Sequence, residues 1–219
     1  MRATRDATLA QQAYLRLKER IVSLALPPGS TIHEAELQQE FGVGRTPLRD
    51  ALQRLAHDGM LRIYPRRAIV VAKLGLSEIR ELFEVRQALE PAAAALAAER
   101  MTKPDHEALR ALRVELRDSR TRPDATQFLR ADQVFHRAVA DFAQNALLAE
   151  YMDHIQTLNL WMWNTYFETH GVRRHDLFAH EPIVEALLNG DAAGDEAAMR
   201  EHIARSNEQL LAGFFGAGG

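Results

Sequence analysis

The segment Phe41–Leu61, FGVGRTPLRDALQRLAHDGML, constrains the fold of this chain more than any other stretch. Gly42 and Gly44 bracket Val43, a pattern that suits a tight turn between two short helices. Thr46 is placed to cap the helix that follows, and Pro47 falls where a first-turn proline is tolerated. Leu48, Leu52 and Leu55 then recur at helical spacing and mark a buried face. Arg45, Thr46 and Arg49 lie near the helix start, off that face, where base edges or phosphates can be met. Asp58-Gly59 stops the helix, because a glycine just past the last turn is a common terminator. The segment reads as a turn and a DNA-recognition helix.

The flanking sequence extends that reading. Leu61–Tyr64 and Ala68–Ala72 are short apolar, β-branched runs joined by Pro65-Arg66-Arg67, which predicts a β-hairpin with a basic tip. Upstream, residues 32–41 predict a short helix with Leu37 and Phe41 inward. Residues 9–24 predict a longer amphipathic helix closed by Pro27-Pro28-Gly29. Residues 1–73 therefore read as a winged helix-turn-helix, with Arg66 and Arg67 on the wing. Periodicity alone would fit any small helical domain. The basic residues at the helix start and the wing tip turn the reading towards double-stranded DNA.

Charge separates this head from the rest. Residues 1–73 hold 12 Lys+Arg against 7 Asp+Glu, a net of +5, while the remainder holds 15 against 23, a net of −8. A basic head on an acidic body suits a module that meets phosphates beside one that does not. The chain has no cysteine, which excludes disulfides, thiolate metal sites and cysteine nucleophiles. No apolar run is long enough to span a bilayer, and the first residues lack the apolar core of a signal peptide. A cytoplasmic protein is expected.

From Ser77 onward no period-2 pattern appears, and residues 77–214 predict an all-helical bundle of about six helices. Ser77 is expected to cap the first, which ends near Arg100 and which Pro91 should kink or split. The PAAAALAA run within it suits close helix packing. Pro104 and Pro123 open the next two helices; further helices are expected at about 146–169, 174–189 and 194–214, with a disordered tail end.

Histidines carry the chemistry of the bundle. Asp132 and His136 stand four residues apart and so share a helix face. His180 opens HEPIVEALL and His202 lies in MREHI, on two other helices. One carboxylate and three imidazoles suit a divalent ion such as Zn, Ni, Fe or Mn, although each residue alone is commonly a surface or hydrogen-bonded group. His33, His57, His106, His154, His170 and His175 read as structural or surface positions.

Taken in order, LPPGSTIHEAELQQEFGVGRTPLRDALQRLAHDGML, LFEVRQALEPAAAALAA, DQVFH and HEPIVEALLNGDAAGDEAAMREHI resemble a GntR-type transcriptional regulator of the FadR group, whose body is a helical FCD domain. The resemblance covers nearly the whole chain. It implies that Asp132, His136, His180 and His202 bind one metal ion, and that Arg45, Thr46 and Arg49 meet DNA. It also implies a homodimer on a palindromic operator, a small organic acid as effector, and a pocket role for Arg86, for which Glu90 is a rival partner. Two departures stand out. Ala35 replaces the arginine that the family often carries in E-R-E-L, and the wing tip lacks the His-Gly form of some members. Two other readings stay open, a sensor of the ion itself and a metalloenzyme. The second gives the winged helix no role, and no general base is evident beside the four ligands.

Overall fold

The computed structural model describes residues 8–121, 125–171 and 179–216, and the chain divides into two compact units, Met1–Gly75 and Leu76–Gly219. The first unit contains α1 (Leu9–Val22), α2 (Glu34–Phe41), α3 (Arg45–His57), β1 (Leu61–Tyr64) and β2 (Ala68–Val71). The second contains α4 (Leu76–Arg100), α5 (Lys103–Thr121), α6 (Ala125–Phe142), α7 (Ala146–His170), α8 (Glu181–Asn189) and α9 (Ala192–Gly216).

In the first unit α1 and α3 pack face to face. Leu17 and Ile21 from α1 meet the same core as Leu48, Leu52 and Leu55, all essentially inaccessible to solvent. Truncating one of these leucines to alanine should cost about 2–5 kcal/mol. Thr8 caps α1 through its hydroxyl, and the helix stops at Val22 rather than at residue 24, because Ser23 closes it and Leu24 turns into left-handed backbone. The second helix begins at Glu34, two residues later than periodicity suggested, because Thr31 and Ile32 are held in extended backbone against β2.

The turn behaves as the glycines require. Gly42 takes a left-handed conformation at the end of α2, with φ 65°, which a side chain would resist. Gly44, not Thr46, is the N-cap of α3; Arg45 is already helical, so the Thr46 hydroxyl lies two residues too far along to cap. Gly59, with φ 77°, closes α3. The hairpin pairs Leu61 with Val71 and Tyr64 with Ala68, which leaves Pro65, Arg66 and Arg67 as its tip.

In the second unit α4 runs at the centre and packs on α6, α7, α8 and α9. Ala93, Ala94 and Ala97 are buried, so the alanine run allows close approach as expected. Pro91 does not split the helix, which is continuous from Leu76 to Arg100. A proline cannot donate to the carbonyl four residues back, that of Gln87. Arg200 of α9 takes up this carbonyl through Nη1 at 3.4 Å, and the Gln87 amide in turn donates to the Arg200 carbonyl at 3.1 Å. The aromatic core is formed by Phe128, Phe135, Trp161 and Trp163. The expected start of the third bundle helix at Pro123, residues 174–178 of the fifth, expected at about 174–189, and the tail beyond 216 lie outside the described residues. Within them the fifth helix starts at Glu181, behind His180.

Candidate functional site

The head presents its cations on the outside of the turn, helix and wing. Burying Leu48, Ala51, Leu52 and Leu55 against α1 forces Arg45, Thr46 and Arg49 outward, and all three are exposed. Arg66 and Arg67 are exposed at the hairpin tip, and Arg66 takes a positive φ of 60°. A groove of about 610 Å³ lies between the start of α2, the flank of α3 and the hairpin. Arg49, Arg66 and Arg67 line it together with Glu34 and Tyr64. Arg45 and Thr46 sit beside it at the helix start rather than in its lining. The Arg49 Nε donates to Glu34 Oε2 at 3.2 Å.

The body brings together the four residues singled out by spacing. Asp132 and His136 project from one face of α6, His180 is the residue before α8, and His202 comes from α9. One ligand atom from each lies within 4.8 Å of the others, and all four side chains are buried. His180 Nε2 is 2.9 Å from Asp132 Oδ1, and His136 Nε2 is 3.7 Å from the same oxygen. The imidazoles crowd one another, with 4.5 Å between the ring centroids of His180 and His202. Phe135 packs edge-on against His136 and His180, which closes one wall with apolar surface.

Behind the cluster stands a charge network that spacing did not reveal. Glu90 Oε2 lies 2.7 Å from His136 Nδ1, and its Oε1 accepts from Arg86 Nε at 2.5 Å. Arg86 Nη1 also donates to Asn159 Oδ1 of α7 at 2.7 Å. Arg86 and Glu90 are each 1% exposed, so Arg86 is an interior group and not a surface ion-pair partner. Sequence showed Glu90 only as the i+4 neighbour of Arg86; its contact with His136 depends on α4 packing against α6.

Burial raises the Glu90 pKa, but attraction to Arg86 and His136 outweighs it and holds the group near about 2. Burial alone would lower the His136 pKa, yet the Glu90 and Asp132 carboxylates flanking it raise it to about 9. Asp132, despite burial, is drawn well below its usual range by His136 and His180. His180 and His202 are pushed down by burial, and His202 further by the two neighbouring rings, so both are neutral and can offer lone pairs. Asp132, His180 and His202 therefore offer lone pairs as they stand, whereas His136, held as a cation between two carboxylates, would have to release a proton to join them. That composition fits a borderline divalent cation, and the outer Glu90–His136 contact is the usual means of orienting a metal-bound imidazole.

Two cavities reach the cluster. One, of about 480 Å³, touches His202 and is bordered by Arg120, Arg205 and Gln209. The other, of about 250 Å³, touches His180 and is bordered by Arg113, Arg117 and Arg120. Arg113 and Arg117 both bind Glu181, which ties the start of α8 to α5 beside His180. Of the remaining histidines, His106 bonds the Thr102 carbonyl just before α5 and His170 the Tyr166 carbonyl within α7, and none of those described joins the cluster. His175 lies outside the described residues.

Comparison with known proteins gives these two sites a context. Residues 9–71 match the family described as bacterial regulatory proteins, gntR family, and residues 81–205 match the FCD domain. The chain is 28% identical over 200 residues to the HTH-type transcriptional repressor RspR of Escherichia coli (strain K12), across 91% of this chain and 88% of that one. It is 30% identical over 151 residues to the HTH-type transcriptional regulator YdhC of Bacillus subtilis (strain 168), across 67% of this chain and 66% of that one. Among solved structures, E. coli McbR/YncC matches with a TM-score of 0.82 at 23% identity, covering 95% of this chain and all of that one, a likeness of fold. No helix among the described residues is long and apolar enough to cross a membrane. With its winged head, its helical body and relatives that are regulators and not enzymes, the chain belongs to the gntR family of bacterial transcriptional regulators, in the FadR-like group whose body is an FCD domain.

Proposed function

We propose that this regulator senses a small organic acid through a divalent ion held by Asp132, His136, His180 and His202. The observation that carries the reading is the convergence of four buried ligand atoms within 4.8 Å from three separate parts of the bundle. When bound, the ion would act as a Lewis acid towards a carboxylate at whatever coordination positions the protein leaves open. Glu90 fixes the orientation of His136, and Arg86 in turn holds Glu90. Arg86 is engaged by Glu90 through Nε and by Asn159 through Nη1, and as a buried cation beside the cluster it favours an acidic ligand through its charge. Arg120, on the border of both cavities, supplies a cation on the way in.

In the head, Arg45, Thr46 and Arg49 read the operator, and Arg66 and Arg67 hold the phosphates or the minor groove beside it. The operator is palindromic and the protein binds it as a homodimer joined through the body. One observation favours a second reading, in which the ion itself is the signal. Four protein ligands complete a tetrahedral shell, and a closed shell is the mark of a structural site. Ion identity divides the two, because a six-coordinate ion leaves room for ligand oxygens and a tetrahedral one does not.

The test uses the full chain. Operator DNA is selected from a random pool, metal content is measured by elemental analysis, and organic acids are screened for release of that DNA. One ion per chain in the parent and its loss in His180→Ala are expected. Equal metal content in the two proteins overturns the site. Release by metal alone, with no acid active, decides for the second reading.

A further inference from the structure

A carboxylate in the DNA-facing groove of the head calls for an explanation. Glu34 lines the groove with Arg49, Arg66 and Arg67, where it would sit near phosphates that repel it. Its Oε2 accepts from Arg49 at Nε, at 3.2 Å, across the turn that joins α2 to α3. A guanidinium is a planar fork, with one donor on Nε and four on its two terminal nitrogens. Engaging Nε from the side leaves the terminal edge, Nη1 and Nη2, free of that contact. This is the edge that forms the bidentate pair with guanine O6 and N7. Both partners remain accessible, Arg49 at 54% and Glu34 at 28% of the side chain, so the fork can be held and still reach outward.

We propose that Glu34 is a positioning residue that fixes the Arg49 fork end-on to the major groove, and thereby makes the head select a guanine at one base pair of each half-site. The inference rests on the reading of Arg49 as a base contact. Without Glu34 the long side chain is free to lie along the backbone and meet phosphates instead, a contact that carries no sequence information. The neighbouring Ala35 has no side chain able to take over that role. A structural role for Glu34 in the first turn of α2, where an acid favours the helix dipole, predicts a different pattern, a loss of stability with base preference intact.

The experiment compares the parent, Glu34→Ala, Glu34→Gln, Arg49→Ala and the double variant Glu34→Ala/Arg49→Ala as full chains. Affinities are measured for the selected operator, its single-base variants and non-specific DNA at several salt concentrations. Arg49→Ala is expected to flatten the preference at one base pair per half-site, roughly ten-fold or more. Glu34→Ala should flatten the same base pair while its non-specific affinity holds or rises, since a negative charge has been removed. Glu34→Gln should keep the preference, because its amide oxygen still accepts from Nε. The double variant should add nothing further at that base pair. Full preference in Glu34→Ala at the position that Arg49→Ala flattens overturns the proposal and leaves the reading of Arg49 intact. Loss in Glu34→Gln equal to that in Glu34→Ala also overturns it. No effect of Arg49→Ala on any base pair overturns the reading of Arg49 and the proposal together.

Discussion

A carboxyl group stands inside the body without company. Asp195, in the first turn of α9, is wholly buried, and neither of its oxygens has a hydrogen-bond partner among the described residues. Burial, reinforced by Asp191, raises its pKa to about 8. In the unfolded chain an aspartate ionises near ~3.9. Between those two values the folded state keeps a proton that the unfolded state has lost, so this residue makes stability fall as pH rises through that window and stay level above it. Asp195→Ala should therefore melt several degrees above the parent at pH 8, with the gap closing towards pH 4. Thermal melts of both proteins across that range check this, and a gap that is constant with pH would refute it. The Glu90 carboxylate makes the opposite case, since each of its oxygens faces a cation, Arg86 on one and His136 on the other. Glu90→Gln should weaken metal binding about 10- to 100-fold with the four ligands untouched, measured by competition with a chelating dye. Asp132 and His136 were legible in sequence because i and i+4 share a helix face. Glu90 was not, because its partner belongs to another helix and only packing makes them meet.

Turns and helix ends show where local chemistry suffices and where it does not. The Gly42-Val43-Gly44 turn and the Gly59 stop follow from backbone freedom alone, and sequence gives both. The true N-cap at Gly44 was hidden, because a threonine two residues on looks better suited to the task. The uninterrupted run of α4 through Pro91 was hidden too, since the group that takes up the freed Gln87 carbonyl, Arg200, comes from a helix far along the chain. The wing offers a direct test of local strain. Arg66 holds φ 60°, a conformation that costs an ordinary residue roughly 1–2 kcal/mol and glycine very little. Arg66→Gly should stabilise the head by about 1 kcal/mol in urea unfolding. The same change should lower affinity for all DNA sequences alike and reduce the salt slope by about one, if the arginine meets a phosphate. Stability and binding moving in opposite directions is the signature; a variant that binds as the parent does removes Arg66 from the interface.

Two units with separate cores and opposite charge predict separable behaviour of the whole chain. A fragment from Leu76 onward should fold by itself and run as a dimer at micromolar concentration in sedimentation analysis. A folded but monomeric fragment would count against dimerisation through the body. In the full chain a chelator should lower the melting temperature of the body alone if the four residues hold an ion, because such an ion would bind only their folded arrangement. A head transition that shifts by the same amount would show that the two units unfold as one. Charge asymmetry and the break in periodicity near residue 73 made the division readable. What sequence left out was the body's centre, where α4 is covered by four other helices and carries charge in its middle.

That helix is also a lever. α4 begins at Leu76, the first residue of the body, and bears Glu90 on its buried face. Glu90 lies about 21 Å along the axis from the end that continues into the head. Pro91 follows directly, at the one place where the helical ladder lacks a backbone donor, and helices bend most easily at such a place. A tilt of about 5° at this pivot moves the Leu76 end by about 2 Å. Glu90 touches His136 beside this point and the chain runs on from Leu76 into residues 1–75, so any bend here would be read at the far end of the helix as a displacement of the linker.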